Sequence, residues 1–293
     1  MDESHSTGER LLTGYFDRFT VEHIHRYAIA QGIARDLDVL DIACGEGYGS
    51  VLLSAAAKSV VGVDIDAGVI KHASSKYARP SLRFLTGSAD RMPLPDNSVD
   101  LVVSFETLEH HDKHEEMLLE VKRVLRPDGL FLISTPDKRN FSDLTGHRNS
   151  FHVKELYRDE FFSLVQKHFT NCAAYEQRLA FGSVVAAGDG QAATSRKLDF
   201  YSGDHNAVTR SDSLVRPTYH LALASNGPLL ALTTSLFDGQ IVLDRWISDS
   251  DRIEPLESRV RALTTELTDL KNSFSFRLGA AIVRPLRLLF HRN

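Results

Sequence analysis

The sequence predicts an α/β fold in which helices cover both faces of a mostly parallel sheet. Three observations support this prediction: short apolar runs alternate with segments rich in helix formers, a glycine-rich turn follows the first run, and an acidic residue ends the second. Strands joined by helical crossovers are buried on both faces, so they read as continuous apolar runs. A length of 293 residues allows one large domain and an appendage.

The first predicted strand, Asp38–Cys44, leads into the glycine turn Gly45–Gly49 and then into helix formers at Ser50–Ala57. Apolar runs predict four further strands, which are Ser59–Asp64, Leu82–Leu85, Val99–Ser104 and Leu130–Ser134. A second helix is predicted at Ala67–Tyr77. Strands and helices that alternate in this way form a parallel sheet.

Beyond Pro136 the pattern is looser and predicts a helix at Val153–His168. Strand-like stretches at Ala173–Arg178 and Thr218–Ala224 would complete the sheet. The segment 188–216 is rich in Gly, Ser, Asp and Thr, so we interpret it as an insertion or a lid. The predicted organisation is a main domain over 1–250, a helix over 251–274 and a tail over 275–293.

The helix 251–274 has apolar residues spaced alternately three and four apart, which are Ile253, Leu256, Val260, Leu263, Leu267, Leu270 and Phe274. This spacing predicts a short coiled coil, through which the chain would form a homo-oligomer or bind a partner. The alternative is a helix packed on its own main domain.

The tail 275–293 has four arginines and no acid among apolar residues. Such a segment can lie at the surface of an anionic membrane, with its arginines near lipid phosphates. A solvated end is the alternative.

Charge excludes one class of function. The chain carries a net charge of -5, and because residues 251–293 hold eight Lys/Arg against five Asp/Glu, the preceding residues carry -8. Proteins that coat nucleic acid need a basic surface, so we expect no DNA partner. Two cysteines are too few for a disulfide framework, and neither a signal-peptide pattern nor a long apolar run is present. We expect a cytoplasmic protein. The basic, apolar tail also allows peripheral contact with the inner face of the cell membrane.

The first two strands predict a binding site for a nucleoside cofactor. Gly45 and Gly47 provide a turn without Cβ atoms, and Asp64 ends the second strand, where a carboxylate can accept both ribose hydroxyls. The turn lacks the GxGxxG spacing, which disfavours a dinucleotide.

The segment Val39–Gly49 resembles the first motif of class I S-adenosylmethionine-dependent methyltransferases, which have a Rossmann-like sheet. The resemblance continues through four segments, which are Val61–Asp66, Gly87–Pro95, Ser98–Val102 and Glu120–Gly129. It implies S-adenosylmethionine as cofactor. It also implies that Glu22–Tyr27 belongs to an N-terminal helix.

The resemblance places Asp41 and the glycine turn at the methionine part of the cofactor, Asp64 at the ribose and Ile65 on the adenine face. Many relatives carry Asp where this chain has Ser88, so the adenine amine contact is open between Ser88 and Asp90. Arg26 would meet the cofactor carboxylate, or would be a surface arginine. The full predicted cofactor set is Arg26, Asp41, Gly45, Gly47, Asp64, Ile65, Ser88, Ala89, Asp90 and Phe105.

A hydroxyl acceptor needs a general base or a metal ion to become nucleophilic. Glu106, Glu109 and His110 directly follow the fourth strand, at the sheet edge where ligands bind, and we predict them to be catalytic. If Glu106 begins a helical turn, Glu109 and His110 share its face, and such a mixed oxygen and nitrogen set suits Mg²⁺ or Mn²⁺. Alternatively, His110 acts alone as the base. We expect His111, Lys113 and His114 to face solvent.

This ExxEH element resembles that of metal-dependent O-methyltransferases of quinone biosynthesis and of small-RNA 3′ ends. In the RNA enzymes a further histidine follows, and His152 is the candidate here. The resemblance therefore implies Glu106, Glu109, His110 and His152 as metal ligands.

The whole chain also resembles bacterial methyltransferases of polysaccharide and O-antigen assembly. The shared features are Glu22–Tyr27, Phe151–Leu156, the coiled coil, Ser275–Leu278 and Pro285–Arg287. The resemblance implies O-methylation of a sugar in a glycan, a nucleotide-sugar or a lipid-linked precursor, with a glycan-assembly partner. Two alternatives stay open: a small-RNA or quinone O-methyltransferase, and a non-catalytic coiled-coil scaffold that retains the cofactor fold.

Overall fold

The computed structural model describes residues 18–180, 199–203, 205, 207–240, 259–260 and 263–269. The chain divides into two units, Met1–Phe237 and Asp238–Asn293. Residues 259–260 and 263–269 of the second unit are helical and exposed. The coiled coil over 251–274 and the domain limit at 250 stay predictions, and the tail 275–293 lies outside the described residues.

A seven-stranded sheet organises the first unit, with the strand order β3-β2-β1-β4-β5-β9-β6. Its strands are β1 (Asp38–Ile42), β2 (Ser59–Asp64), β3 (Leu82–Thr86), β4 (Val99–Phe105), β5 (Leu125–Pro136), β6 (Asn171–Gln177) and β9 (Tyr219–Ser225). Strands β1 to β5 pair in parallel, and β9 runs antiparallel between β5 and β6. The predicted mostly parallel sheet is confirmed. The order reverses between β1 and β4, and such a switch point opens a crevice at the carboxyl ends of the strands.

Within the described residues, five helices pack on the sheet, which are α1 (Arg18–Ile33), α2 (Tyr48–Leu53), α3 (Ala67–Lys76), α4 (His114–Val124) and α5 (Arg158–His168). Apolar side chains of α1, α2 and α3 share one core cluster, and those of α4 and α5 share another. Successive strand residues alternate between the clusters, as Val39 and Leu40 of β1 do. The sheet is therefore packed between two apolar layers, and this packing fixes the position of the carboxyl ends of its strands.

Helix α5 begins later than predicted, at Arg158 rather than Val153. Leu156 pairs with Asp137 in a parallel bridge, and the Tyr157 backbone N–H donates to Glu160 Oε2 at 2.9 Å. Extended pairing before residue 157 and a side-chain cap at its start set the helix boundary.

Part of the predicted insertion forms a hairpin of β7 (Phe200–Gly203) and β8 (Val208–Ser211). Residues 188–198 lie outside the described part of the chain, so the lid stays a prediction. Among the described helices, none has the length and apolar character needed to cross a bilayer.

Candidate active site

A cavity of about 440 Å³ opens at the carboxyl ends of β1, β2 and β4. Its wall includes the turn Ala43–Glu46 after β1, Asp64 and Ile65 at the end of β2, and Phe105–Thr107 at the end of β4. The volume lies within the range of about 300–1,000 Å³ that is typical of small-molecule sites. The cavity therefore lies where the strand order predicts a ligand.

The glycine turn takes a shape that needs glycine. Gly45 and Gly47 have φ angles of 53° and 89°, in the left-handed region. A Cβ atom added at Gly47 would lie 2.7 Å from Phe84 Cζ. Gly45 lines the cavity, whereas Gly47 supports the turn from behind. The turn thus brings backbone to the cavity wall.

Asp64 is fixed by backbone hydrogen bonds. Its Oδ2 accepts from the Gly45 N–H and its Oδ1 from the Asp66 N–H, both at 3.0 Å. The next residue, Ile65, lines the cavity although its side chain is 71% exposed. An oriented carboxylate beside an open apolar side chain fits a ribose and an adenine face.

A polar group lies at the opposite end of this wall. The Lys113 Nζ donates to Asp90 Oδ2 at 2.5 Å, and the Ser88 hydroxyl donates to Asp90 Oδ1. These two donors lower the pKa of Asp90 to about 2. Lys113 itself lines the cavity, together with Ser88, Ala89 and Asp90. Lys113 is exposed to solvent, as expected, and it also borders the cavity.

Asp41 lies behind the glycine turn and not in the cavity wall. The hydroxyls of Ser50 and Tyr27 donate to it at 2.6 and 3.1 Å. Burial raises the pKa of Asp41 to about 7 against the effect of these two donors. Tyr27 reaches the cavity from α1, and its ring lies against Gly49, where an added Cβ would be 2.0 Å from Tyr27 Cζ. This contact seats α1 on the start of α2.

Arg26 is fully buried, so the surface-arginine alternative is wrong. Its Nη1 donates to Gln177 Oε1 at 2.7 Å, and its Nη2 lies 3.8 Å from Glu106 Oε1. The guanidinium stacks over the Tyr219 ring, 4.7 Å from the ring centroid. Arg26 is not among the residues that line the cavity. Its contact with the cofactor carboxylate stays a prediction.

Glu106 lines the cavity and has a strained backbone, with a φ angle of 53°. The Ser134 hydroxyl donates to Glu106 Oε1 at 2.7 Å. The predicted helical turn from Glu106 is wrong, because the positive φ breaks the helix and a 3-10 turn begins only at Leu108. Glu106 is therefore held by Ser134 and Arg26, away from the face that carries Glu109 and His110.

Three of the four predicted metal ligands come together. Glu109, His110 and His152 each offer a ligand atom within 4.8 Å of the others, and Glu106 is not part of this group. Of these four side chains, only His110 and Glu106 line the cavity.

Each member of the group has a partner that orients it. The Thr135 hydroxyl donates to Glu109 Oε2 at 3.1 Å. The Nδ1 atom of His110 lies 3.1 Å from the Phe151 carbonyl oxygen, and that of His152 lies 2.5 Å from Glu155 Oε1. Each imidazole is thus oriented through its Nδ1 atom, as in many metal sites.

Glu109 is buried, and its Oε1 has no hydrogen-bond partner within the described residues. Burial and the nearby Glu106 carboxylate raise the pKa of Glu109 well above its usual range.

Several wall residues were not predicted from the sequence, namely His23, Tyr27, Tyr48, Thr107, His111, Asp112 and Lys113. The Tyr48 hydroxyl lies 3.2 Å from His23 Nδ1.

Both ring nitrogens of His111 are buried without a hydrogen bond in the described part, and His114 is buried. The expectation that these two histidines face solvent is wrong. The signals in the sequence were position near Arg26 or His110 and, for Tyr48, position in the glycine turn.

Comparison with known proteins agrees with this geometry. Residues 40–133 match the family described as "Methyltransferase domain". The solved structure of the YcgJ protein of Bacillus subtilis has the same fold, with a TM-score of 0.50 and 18% identity over 70% of this chain and 100% of that chain. Residues 40–133 are thus similar to a methyltransferase domain, and the solved structure shares the fold.

Two mycobacterial relatives are named in the same terms. A probable S-adenosylmethionine-dependent methyltransferase of Mycolicibacterium smegmatis is 37% identical over 164 residues, or 55% of this chain and 63% of the relative. One of Mycobacterium tuberculosis is 40% identical over 129 residues, or 44% of this chain and 46% of the relative. The matches thus span less than two thirds of either relative. Over these spans the chain is similar to S-adenosylmethionine-dependent methyltransferases.

Proposed function

We propose that this chain methylates a hydroxyl group, with S-adenosylmethionine as the methyl donor. One observation carries the proposal: two proton-accepting side chains, Glu106 and His110, line the same cavity as Asp64 and Ile65. A hydroxyl must lose its proton as the new bond forms, so a base at the cavity wall suits this class of acceptor. An acceptor that is already nucleophilic has less need of one.

The residues present fit the cofactor. Asp64 would hold the ribose, Ile65 would cover the adenine, and Ser88 and Asp90 would border the adenine edge. The backbone of Gly45 would contact the methionine part, which the geometry of the glycine turn permits. When bound, the cofactor supplies a methyl group on a positively charged sulfur.

The wall after β4 would orient the acceptor and take up its proton. Glu106 is suited to this because Ser134 and Arg26 fix its carboxylate without covering it. His110 is fixed by the Phe151 carbonyl. Because both side chains are held before the acceptor arrives, little reorganisation accompanies the proton transfer.

We place the acceptor hydroxyl on a sugar of a glycan, a nucleotide-sugar or a lipid-linked precursor. This assignment rests on the sequence resemblance over Glu22–Tyr27 and Phe151–Leu156. In the structure, α1 contributes His23 and Tyr27 to the cavity wall, and the Phe151 carbonyl contacts the wall residue His110.

The test follows transfer of a labelled methyl group to glycans and nucleotide-sugars by the purified full-length chain. We expect Glu106→Gln and His110→Gln to lower kcat by about 100-fold or more, the usual contribution of a general base, with unchanged cofactor affinity by calorimetry. Glu116→Gln, an exposed acid on α4, is the matched control. Cofactor binding without transfer to any acceptor would favour the scaffold alternative, and no cofactor binding would refute the proposal.

We further propose that Glu109, His110 and His152 hold a divalent metal ion, in which case Glu106 and not His110 would take up the acceptor proton. The support is the oriented donor set and the buried Glu109 Oε1 without a partner. Two imidazoles and one carboxylate suit Mn²⁺ or a similar transition ion better than Mg²⁺, which prefers oxygen ligands. The ion would supply a positive charge that lowers the pKa of a bound hydroxyl.

Metal content after dialysis measures this directly, independently of activity. We expect one equivalent of Mn²⁺ for the native chain and none for His152→Gln. His147→Gln, an exposed histidine near His152, should keep the ion. Full activity in chelator with no bound ion would end the metal proposal and leave the base proposal intact.

A further inference from the structure

Residues 138–158, which we call the basic lobe, connect β5 to α5 beside the candidate active site. The Val153 N–H donates to the Glu109 carbonyl oxygen at 2.8 Å, and the Phe151 carbonyl oxygen lies 3.1 Å from His110 Nδ1. These contacts join the lobe to the turn that carries Glu109 and His110. The outer surface of the lobe therefore borders the wall of the site.

Side-chain contacts hold the two halves of the lobe together. The Tyr157 hydroxyl donates to Asp143 Oδ2 at 2.9 Å, and the Phe141 ring stacks on His152 with 5.6 Å between centroids. His152 and Leu156 face inward. The two halves of the lobe are thus packed together, and their exposed side chains belong to the same lobe.

Large apolar side chains lie on the outside of this piece. They are Leu144, Phe151, Val153 and Tyr157, and each is between 38% and 64% exposed. Single exposed apolar residues are ordinary on protein surfaces, but four within one short lobe indicate an interaction surface.

The lobe also carries excess positive charge, although one of its cations, Arg158, is paired with Asp159 and Glu176. It has five Lys/Arg against two Asp/Glu, within a body that is acidic overall. Arg139, Arg148 and Lys154 are exposed, and none forms an ion pair with a carboxylate of the described residues. Both acids of the lobe have other partners, because Asp143 accepts from Tyr157 and Glu155 contacts His152.

We propose that the basic lobe docks on an anionic lipid bilayer. Cations beside exposed apolar side chains fit such a surface, where lipid phosphates bind the cations and the acyl boundary takes up the apolar groups. A soluble polyanion would use the cations and leave the four apolar side chains in water. Docking here would bring His110 close to an acceptor held in the membrane. The docking itself does not depend on the proposed function.

Co-sedimentation of the full-length chain with vesicles of phosphatidylcholine and phosphatidylglycerol tests the proposal. We expect saturable binding that weakens in high salt and with phosphatidylcholine alone. Leu144→Glu with Val153→Glu should weaken binding about tenfold or more, since each charge near the surface contributes about 1 kcal/mol. Leu119→Glu with Val215→Glu, which places the same charges at exposed apolar positions outside the lobe, should leave binding unchanged.

Val153→Phe tests the proposal through a gain of binding, because a larger apolar side chain should strengthen vesicle binding severalfold. Cofactor affinity and the circular dichroism spectrum of each variant show whether it is folded. Equal binding by the native chain and the lobe variant would overturn the proposal and would point to another surface, such as the tail 275–293. Absence of binding by the native chain, or binding of inorganic pyrophosphate to the lobe without vesicle binding, would also overturn it.

Discussion

Asp41→Asn should stabilise the protein at pH 8 in the absence of cofactor. Asp41 is fully buried, and its pKa is raised from its ordinary 3.8 to about 7 by burial. The unfolded chain loses this proton near pH 4, whereas the folded chain keeps it to about pH 7. The folded state therefore binds more protons in this window, and the free energy of unfolding falls as pH rises through it. At 1.36 kcal/mol for each pKa unit, ionised Asp41 costs about 4 kcal/mol above pH 7.

Asparagine removes the ionisation but has only one acceptor oxygen for the hydroxyls of Ser50 and Tyr27. Loss of one such hydrogen bond costs about 1 kcal/mol, so we expect a net gain of about 3 kcal/mol at pH 8 and almost no net change near pH 4.5, where the unfolded carboxyl is already mostly ionised. Urea unfolding at the two pH values measures the difference. Asp38→Asn is the control on the same strand, because hydrogen bonds from Ser59, Lys58 and Arg126 lower the pKa of Asp38 and its replacement should destabilise. Equal destabilisation by Asp41→Asn at both pH values would refute the reasoning.

Three further predictions concern the site and the packing around it. Gly49→Ala should lower the free energy of unfolding by about 3 kcal/mol, since its Cβ would overlap the Tyr27 ring. The control Gly32→Ala, with no atom within 4 Å of its Cβ, should stabilise the protein slightly. If thermal unfolding gave the reverse order of stability, it would contradict the packing of α1. Asp64→Asn should weaken cofactor binding about 10–100-fold in calorimetry, as for lost hydrogen bonds to a charged group, and unchanged affinity would exclude the ribose contact. Lys113→Met should raise the pKa of Asp90 from about 2 toward 3.8, measurable by NMR titration, whereas a constant pKa would show that Lys113 is not its main partner.

The sheet could be predicted from the sequence because its strands are buried on both faces and therefore appear as continuous apolar runs. The start of α5 could not, because the bridge between Leu156 and Asp137 joins two distant segments. Local helix preference around residue 153 contains no information about that pairing.

The candidate site was predictable where a residue type is required by its position. Gly45 and Asp64 follow consecutive strands, and both line the cavity. Glu106 was assigned to the metal group because helical spacing would place it on one face with Glu109 and His110. Its positive φ angle is not helical, so this spacing does not apply. His23 and Tyr27 reach the cavity from α1, which precedes the sheet in the chain. Their place in the wall depends on the packing of the Tyr27 ring on Gly49, a contact between distant residues that the sequence does not reveal.

The position of α1 has a practical consequence. The family match begins at residue 40, after α1 has ended, yet α1 supplies His23 and Tyr27 to the cavity. A fragment trimmed to residues 40–133 would lack α1 and the ends of β1 and β5, and it would open one side of the cavity to water. Binding measured on such a fragment would then underestimate the affinity of the whole chain for its ligand.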